Sequence, residues 1–315
     1  MTVDPYARGW YLVALSSDVA PGASVPCRYF GRDLVLWRDG EGRPALTAAR
    51  CPHLGTDLAV GGEVVDGQLR CRMHGWRFDA SGRCVHSTGG RASGVDLDGW
   101  PLLERDGGLW LWWVPGTEPE WDAPRIPEHG DAEWTPLSNA GNRWVVRTSP
   151  QMIQENAVDI IHLAELHGFP SPTPIDQHPD GRVFVSNFVH QRDYTEAGVA
   201  DPIEVRTDIE IFGLGVSKQN SDAGGMVFST TICSTTPIDA ASVDLRMTTS
   251  IKRTFDEPTT DSVLAVVVET THQTIEEDLP LWESRDYAVR HFGGGDRGIA
   301  AFQRWATQFY DPAPS

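Results

Sequence analysis

The sequence predicts an α+β protein in which an all-β N-terminal domain precedes a domain of antiparallel sheet and helices. Three features predict this class. Short apolar segments separated by turn residues fill the first third, a stretch rich in Pro, Glu and Asp follows, and longer strand and helix patterns fill the rest. We place the first domain at residues 1–116, a linker to about residue 134, and the second domain at residues 117–315.

The first domain is predicted to consist of short strands joined by turns. Pairs such as Asp39-Gly40 and Asp66-Gly67 favour turns, because glycine adopts backbone conformations that other residues avoid. The predicted strands are Trp10 to Leu15, Tyr29 to Trp37, Pro44 to Ala48, Val64 to Arg70, Trp76 to Phe78 and Leu109 to Val114.

The second domain is predicted to combine a helix, several strands and a helical C-terminal part. The helix runs from Pro150 to Leu166 and ends before Pro170. Apolar and polar residues alternate from Ile203 to Phe212, which indicates one buried and one solvated face. The other predicted strands are Arg143 to Thr148, Val183 to His190, Met226 to Ser234, Val243 to Arg253 and Val263 to His272, and the C-terminal helices are Gln273 to Arg290 and Gly298 to Phe309.

Charge and hydropathy exclude several classes of partner. The net charge of −18 argues against binding to nucleic acid or to an anionic membrane. No apolar stretch approaches the ~18 residues that a membrane span needs. Residues 1–15 lack the pattern of a signal peptide, so we expect a cytoplasmic protein without a membrane span.

The segments Cys51-Pro52-His53 and Cys71-Arg72-Met73-His74 carry the strongest chemical signal. Two thiolates on one iron and two imidazoles on the other form a Rieske-type [2Fe–2S] site. Zinc could take the same four ligands. However, Gly55 and Gly75 follow the two histidines, and glycine lets backbone N–H groups approach the cluster sulfurs. We therefore predict a cluster held by Cys51, His53, Cys71 and His74.

A second metal site is predicted near the end of the helix. Asn156, Asp159 and His162 are spaced three residues apart, so we expect them to share one helix face. His167 can converge with His162 only where the helix ends, and Gly168-Phe169-Pro170 supplies that end. Two histidines and one carboxylate form the facial triad of non-haem Fe(II) oxygenases. Without the cluster motif, a helix-capping histidine and a loop histidine would be the better interpretation.

The pattern alone does not choose the carboxylate ligand. Candidates on the C-terminal helical part are Glu276, Glu277, Asp278, Glu283 and Asp286. Asp278 precedes an apolar stripe that is expected to face the core, whereas Glu276 and Glu277 are expected to face solvent. Each candidate could also be an ordinary solvated charge on a helix face.

Taken together, these motifs resemble the oxygenase component of Rieske non-haem iron monooxygenases, over nearly the whole chain. The segment Glu276 to Trp282 is most similar to the 3-ketosteroid 9α-hydroxylase group, and this resemblance selects Asp278 as the iron carboxylate beside His162 and His167. It also implies a helix-grip catalytic domain. Thr56 stands where respiratory Rieske proteins have cysteine, whereas Pro280 departs from the steroid enzymes, so the substrate stays open.

The resemblance implies a reaction and partners. Electrons from NAD(P)H would pass through a reductase or ferredoxin to the cluster and then to the mononuclear iron. There O₂ would hydroxylate an apolar, steroid-like or polycyclic substrate. The family forms head-to-tail homotrimers, in which Asp159 would bridge His74 of one subunit to an iron histidine of the next; a hydrogen bond within its own helix is the alternative. Asn156 would lie near the iron without being a strong ligand, or would serve only as a polar residue at a helix start.

Other functions remain open at this stage. The same iron could carry out desaturation, N-oxidation or dealkylation. A Rieske electron carrier fused to a binding domain would need only the first motif. Arginines flank the cluster motif and could dock an acidic redox partner, or could only make loop hydrogen bonds. These arginines are Arg50, Arg70, Arg72 and Arg77.

Overall fold

The computed structural model describes residues 5–88, 94–114, 117–138, 141–192 and 201–310. Contacts divide the chain into two units. The N-terminal unit comprises Gly9–Arg125 and Pro237–Ala240, and the C-terminal unit comprises Ile126–Thr236 with residues 5–8 and 241–310. The domain limits at residues 116 and 134 stay a prediction. Within the described part of the chain, no helix combines the length and the apolar character that crossing a membrane requires.

The N-terminal unit is an all-β structure, as predicted. Its sheets have the strand orders β1-β11-β10, β2-β3-β4-β9 and β5-β6-β7-β8. A one-turn helix, α1 (Leu58–Gly61), precedes β5. The strands are β1 (Gly9–Leu15), β2 (Ser24–Tyr29), β3 (Arg32–Arg38), β4 (Pro44–Ala48), β5 (Gly62–Val65), β6 (Gln68–Cys71), β7 (Arg77–Phe78), β8 (Cys84–His86), β9 (Gly99–Trp100), β10 (Leu102–Arg105) and β11 (Gly108–Trp113).

An apolar core anchors the β5–β8 sheet of this unit. Leu58, Leu69 and Phe78 are fully buried in one cluster that also contains Cys51 and Cys71. Both cysteines are therefore fixed at the edge of a packed core, where side chains have little freedom to move.

The C-terminal unit is built on a seven-stranded sheet with the strand order β12-β18-β17-β16-β15-β14-β13. Its strands are β12 (Arg143–Val146), β13 (Thr173–Asp180), β14 (Val183–Arg192), β15 (Ile203–Phe212), β16 (Val216–Ala223), β17 (Val227–Asp239) and β18 (Ser242–Ile251). Its helices are α2 (Pro150–Glu155), α3 (Ile160–Glu165), α4 (Glu257–Ser284) and α5 (Arg297–Ala306). The sequence did not predict β13 and β16. Strand β13 is an exposed edge strand that contains prolines, and β16 is polar along most of its length.

The predicted strand from Val263 to His272 is wrong, because this segment lies inside the helix α4. The run of β-branched residues suggested a strand. The helix instead starts at Asp256, whose carboxylate accepts a hydrogen bond from the Thr259 N–H at 2.9 Å. The buried positions Val268, Ile275 and Asp278 recur at helical spacing, so packing overrides the local preference.

The predicted helix from Pro150 to Leu166 is two short helices. Helix α2 ends at Glu155, Asp159 caps α3, and residues 156–159 form the break between them. Asn156 and Asp159 therefore do not share a continuous helix face with His162, contrary to the prediction.

One face of the sheet packs against these helices. Along β14 the alternate residues Phe184, Ser186, Phe188 and His190 are buried. The Ser186 hydroxyl donates to the carbonyl oxygen of Ala157, in the α2–α3 break, at 2.7 Å. This inner face therefore lies directly beneath the segment that carries the predicted iron ligands.

Candidate metal centres

Two loops of the N-terminal unit, Cys51–Thr56 and Cys71–Trp76, close with the same backbone hydrogen bonds. In each loop the cysteine N–H donates to the carbonyl of the last residue, and the glycine N–H donates to the cysteine carbonyl, all at 2.8 Å. Gly55 and Gly75 have φ of 77° and 74°, in the left-handed region that favours glycine. The repeated geometry places the predicted cluster ligands on two matching loops.

The side chains of these loops form a suitable donor set for a cluster. Cys51 and Cys71 are 2 % and 1 % exposed, and the rings of His53 and His74 lie 4.6 Å apart. Burial raises the pKa of the Cys51 thiol to about 11, against the opposing effect of the His53 backbone N–H that donates to the sulfur. Nδ1 of His53 is buried and has no hydrogen-bond partner among the described residues. Paired buried sulfurs beside an unsatisfied imidazole fit a [2Fe–2S] cluster with Cys₂His₂ ligation.

The two histidines have different environments. The His53 ring stacks on Trp76 with centroids 4.7 Å apart and is half-buried. His74 is exposed, and its backbone carbonyl accepts a hydrogen bond from the Thr88 hydroxyl at 2.7 Å. His74 is therefore the more exposed of the two predicted cluster histidines.

The C-terminal unit brings together the three predicted iron ligands. One ligand atom from each of His162, His167 and Asp278 lies within 4.8 Å of the other two. The side chains of His167 and Asp278 are 3 % and 7 % exposed, with Nε2 of His167 3.5 Å from the carboxylate. Two imidazoles and one carboxylate at this separation fit a 2-His-1-carboxylate iron site.

Both imidazoles are oriented by contacts at Nδ1. Nδ1 of His167 lies 2.7 Å from a carboxylate oxygen of Glu277. Nδ1 of His162 contacts the backbone carbonyl oxygen of Asp159. Because Nδ1 of each ring is occupied, Nε2 is the nitrogen left for a metal. Burial alone would lower the pKa of His167, but hydrogen bonds to Asp278 and Glu277 raise it, so the site favours positive charge.

Asn156 and Asp159 lie beside His162 in different roles. The amide nitrogen of Asn156 is 3.3 Å from Nε2 of His162, and its oxygen accepts a hydrogen bond from the Trp282 indole at 3.2 Å. The Asp159 carboxylate accepts from the His162 backbone N–H at 3.4 Å. The Asp159 carboxylate therefore caps α3, whereas its backbone carbonyl contacts the imidazole of His162.

A buried network fixes the end of α2 next to Asn156. Glu155 is 1 % exposed and accepts hydrogen bonds from Arg285, Tyr287 and Gln303 at 2.6, 2.5 and 2.7 Å. Burial, followed by the Glu155 charge, raises the pKa of the Tyr287 hydroxyl and keeps it a hydrogen-bond donor. The sequence did not reveal Glu155. It placed Glu277 among the candidate carboxylates and predicted that it faces solvent, whereas the structure sets its carboxylate against His167. Trp282 was expected only as part of an apolar stripe, and its bond to Asn156 was not predicted.

Two family models match the chain. The Rieske [2Fe-2S] domain matches residues 9–95, and the 3-Ketosteroid 9alpha-hydroxylase C-terminal domain matches residues 111–310. The chain belongs to this family of Rieske oxygenases. Relatives found by sequence and by structure agree with that assignment over almost the whole chain.

Two of the curated relatives match 97% of this chain. The Rieske oxygenase is 26% identical to cholesterol 7-desaturase nvd of Bombyx mori, over 97% of this chain and 70% of that protein. It is 25% identical to a 3-ketosteroid-9-alpha-monooxygenase oxygenase component of Rhodococcus rhodochrous, over 97% of this chain and 83% of that protein. The cholesterol 7-desaturases of Caenorhabditis elegans and Ciona intestinalis match over 51% of this chain. The match covers 39% and 35% of the lengths of those two proteins.

Solved structures share the fold. Dicamba monooxygenase bound to 3,6-dichlorosalicylic acid superposes with a TM-score of 0.76 at 19% identity, covering 96% of this chain and 97% of that one. The Rieske oxygenase is therefore an oxidoreductase whose cofactors are a [2Fe–2S] cluster and a mononuclear iron. The assignment of individual ligands stays a prediction.

Proposed function

We propose that this Rieske oxygenase is an oxygenase component that hydroxylates or desaturates a steroid-like substrate with O₂. The observation that carries the proposal is the convergence of His162, His167 and Asp278 within 4.8 Å in a chain that also has two matching cluster loops. An electron carrier fused to a binding domain would not need the second site. The names of the relatives, a ketosteroid monooxygenase and a cholesterol desaturase, support the substrate class.

The proposal assigns the cluster to Cys51, His53, Cys71 and His74, and the iron to His162, His167 and Asp278. When bound, these groups supply one-electron transfer and activation of O₂. The protein contributes orientation and shielding. Glu277 holds the proton of His167 on Nδ1, while Asn156 stands beside Nε2 of His162 and is itself held by Trp282.

The electron route is proposed to leave the cluster at His74. Its exposure contrasts with the stacked, half-buried ring of His53, so His74 is the histidine that another subunit can reach. In a head-to-tail homotrimer, Asp159 of the neighbouring subunit would accept a hydrogen bond from His74. A separate reductase or ferredoxin would supply electrons from NAD(P)H. The cytoplasmic location expected from the sequence stays a prediction.

The test combines metal content with turnover. Reconstituted protein is expected to hold three irons and two sulfides per chain, whereas a carrier would hold two irons. With a surrogate reductase, O₂ uptake is measured with cholesterol and with cholest-4-en-3-one. Stimulated uptake and a product that has gained one oxygen atom indicate hydroxylation. A product that has lost two hydrogen atoms indicates desaturation. No stimulation by any steroid would contradict the substrate class.

A further inference from the structure

His190 is a buried histidine on the inner face of the catalytic sheet that no step above uses. It lies on β14 and is 6 % exposed. It follows Phe184, Ser186 and Phe188 along the same face, and Ser186 hydrogen-bonds to the α2–α3 break. His190 therefore faces the side of the sheet on which the iron ligands lie.

One aromatic ring separates His190 from an iron ligand. The His190 ring stacks on Phe169 with centroids 4.8 Å apart and planes within 16°. Phe169 is two residues beyond His167, and their rings lie 5.9 Å apart. A backbone hydrogen bond of 3.1 Å from Gln191 to the Pro170 carbonyl fixes this loop against β14. The position of His190 relative to the iron site is thus set by packing on both sides.

The imidazole of His190 is incompletely satisfied. Its Nδ1 is buried, yet it has no hydrogen-bond partner among the residues that the structure describes. Leaving a buried polar atom without a hydrogen-bond partner is unfavourable, so such atoms call for an explanation. Phe188 and Phe169 flank the ring, and the Arg192 guanidinium lies 4.6 Å from the centroid of Phe169.

His190 is uncharged. Burial, assisted by the nearby positive charge of Arg192, lowers the pKa of His190 to about 4. A neutral imidazole can donate one hydrogen bond and accept another, but it offers a substrate anion no ion pair. Two phenylalanine rings beside one neutral imidazole match an apolar skeleton that bears one uncharged oxygen.

We propose that Nδ1 of His190 binds an uncharged carbonyl or hydroxyl oxygen of the substrate, while Phe169 and Phe188 pack against the adjoining apolar skeleton. This inference rests on the proposed function and names the feature of the substrate that the site recognises. It makes His190 a specificity-determining residue of the iron site.

The test compares substrates with and without the oxygen. Cholest-4-en-3-one, cholesterol and 5α-cholestane share a skeleton and carry a carbonyl, a hydroxyl and no oxygen. Binding is measured by equilibrium dialysis, and KM and kcat by steroid-stimulated O₂ uptake. The variants are His190→Phe, which keeps an aromatic ring for the Phe169 stack, and His190→Gln, which keeps a hydrogen-bonding side chain. His178→Phe, an exposed histidine on β13, is the matched control.

We expect His190→Phe to weaken binding of the oxygenated steroids about 10-fold and to raise their KM by a similar factor, with little change for cholestane. His190→Gln should restore part of the difference, and His178→Phe should behave as wild type. Equal losses for all three steroids, or no loss at all, would overturn the role of His190 and leave the proposed function standing. If no steroid binds or stimulates the wild-type enzyme, both proposals fall together.

Discussion

Glu277 accepts the Nδ1 proton of His167 at 2.7 Å, and the next residue along α4, Asp278, faces Nε2 of the same ring at 3.5 Å. Two consecutive acidic residues thus hold opposite sides of one imidazole. This is possible because adjacent positions of a helix point about a quarter-turn apart, so a ring placed between them meets both. Orienting carboxylates of this kind fix the tautomer of a metal-binding histidine.

The first prediction is that Glu277→Gln weakens the iron site without unfolding the protein. An amide can face His167 through either its oxygen or its NH₂ group, so it no longer enforces the Nδ1–H tautomer. We expect Fe(II) or Co(II) affinity to fall about 10- to 100-fold, measured by competition with a chelator. Glu276→Gln is the matched control, because Glu276 accepts from the Trp144 indole on another side of the helix. Equal affinities in the two variants would contradict the role of Glu277.

Asp159→Asn should keep both metals but largely stop substrate-coupled reoxidation of the cluster. Asparagine is as good an N-cap as aspartate, so the hydrogen bond to the His162 N–H and helix α3 should both survive. What is lost is a carboxylate that can accept from His74 of a neighbouring subunit. The measurement is single-turnover reoxidation of the reduced cluster, followed by its absorbance.

The control for this variant is Asp256→Asn. Asp256 caps α4 through the same type of bond, to Thr259 at 2.9 Å, and is exposed. Wild-type reoxidation in both variants would mean that Asp159 acts only as a helix cap.

How much the sequence could predict depends on the range of the interactions involved. The cluster ligands and the iron histidines that we predict lie in short motifs, and in the cluster motifs a few adjacent residues set the loop geometry. The helix α4 was misread at Val263 to His272, since its stability comes from packing of Val268, Ile275 and Trp282 and not from local preference. Glu155 and its partners are separated by more than a hundred residues, so no local pattern could have revealed them.

The same limit explains the outcome for Asn156 and Asp159. A spacing of three suggested one helix face, and every residue from Pro150 to Leu166 is compatible with a helix. The break appears only in the structure. There the Asp159 side chain caps α3, and the Ser186 hydroxyl donates a hydrogen bond to the Ala157 carbonyl. Tertiary contacts thus decide where a helix that the sequence permits is interrupted.

Glu104→Gln should destabilise the N-terminal unit in a pH-dependent way. Arg38 is 6 % exposed and binds both carboxylate oxygens of Glu104 at 2.6 and 2.8 Å. The hydrogen bond from Arg38 lowers the pKa of Glu104 below its ordinary 4.5. The stabilisation by this pair is therefore fully present at pH values above the unfolded-state pKa of Glu104. It is lost as the pH falls through the folded-state pKa of Glu104.

We expect Glu104→Gln to cost about 1 kcal/mol in free energy of unfolding at neutral pH, a value reduced by the partial exposure of Glu104. The difference between the variant and the wild type should shrink as pH falls through the folded-state pKa of Glu104, which lies below 4.5. Chemical denaturation at several pH values measures this. Glu63→Gln, in the more exposed pair with Arg70, should cost less. If the difference in unfolding free energy between Glu104→Gln and wild type does not change with pH, the charge of Glu104 is not the source of the stabilisation.

Arg72→Gln should slow reduction of the cluster by an acidic redox partner. Four arginines flank the cluster loops, and Arg50, Arg70 and Arg77 pair with carboxylates. The Arg72 side chain makes no ion pair with the described residues, and it donates to the Val60 carbonyl at 3.1 Å. Its charge is thus available to a partner. Leu54 and Met73, beside the ligands, are 72% and 64% exposed and provide apolar contact area.

Removing a charge at the rim of an interface mainly changes the association rate and its dependence on salt. We therefore expect Arg72→Gln to lower the second-order rate of cluster reduction and to flatten its dependence on ionic strength, measured by stopped-flow absorbance. Arg70→Gln removes a charge that Glu63 already compensates, so its rate should stay near wild type. If both variants slow reduction equally, the effect belongs to the overall charge of the unit and not to a docking contact at Arg72.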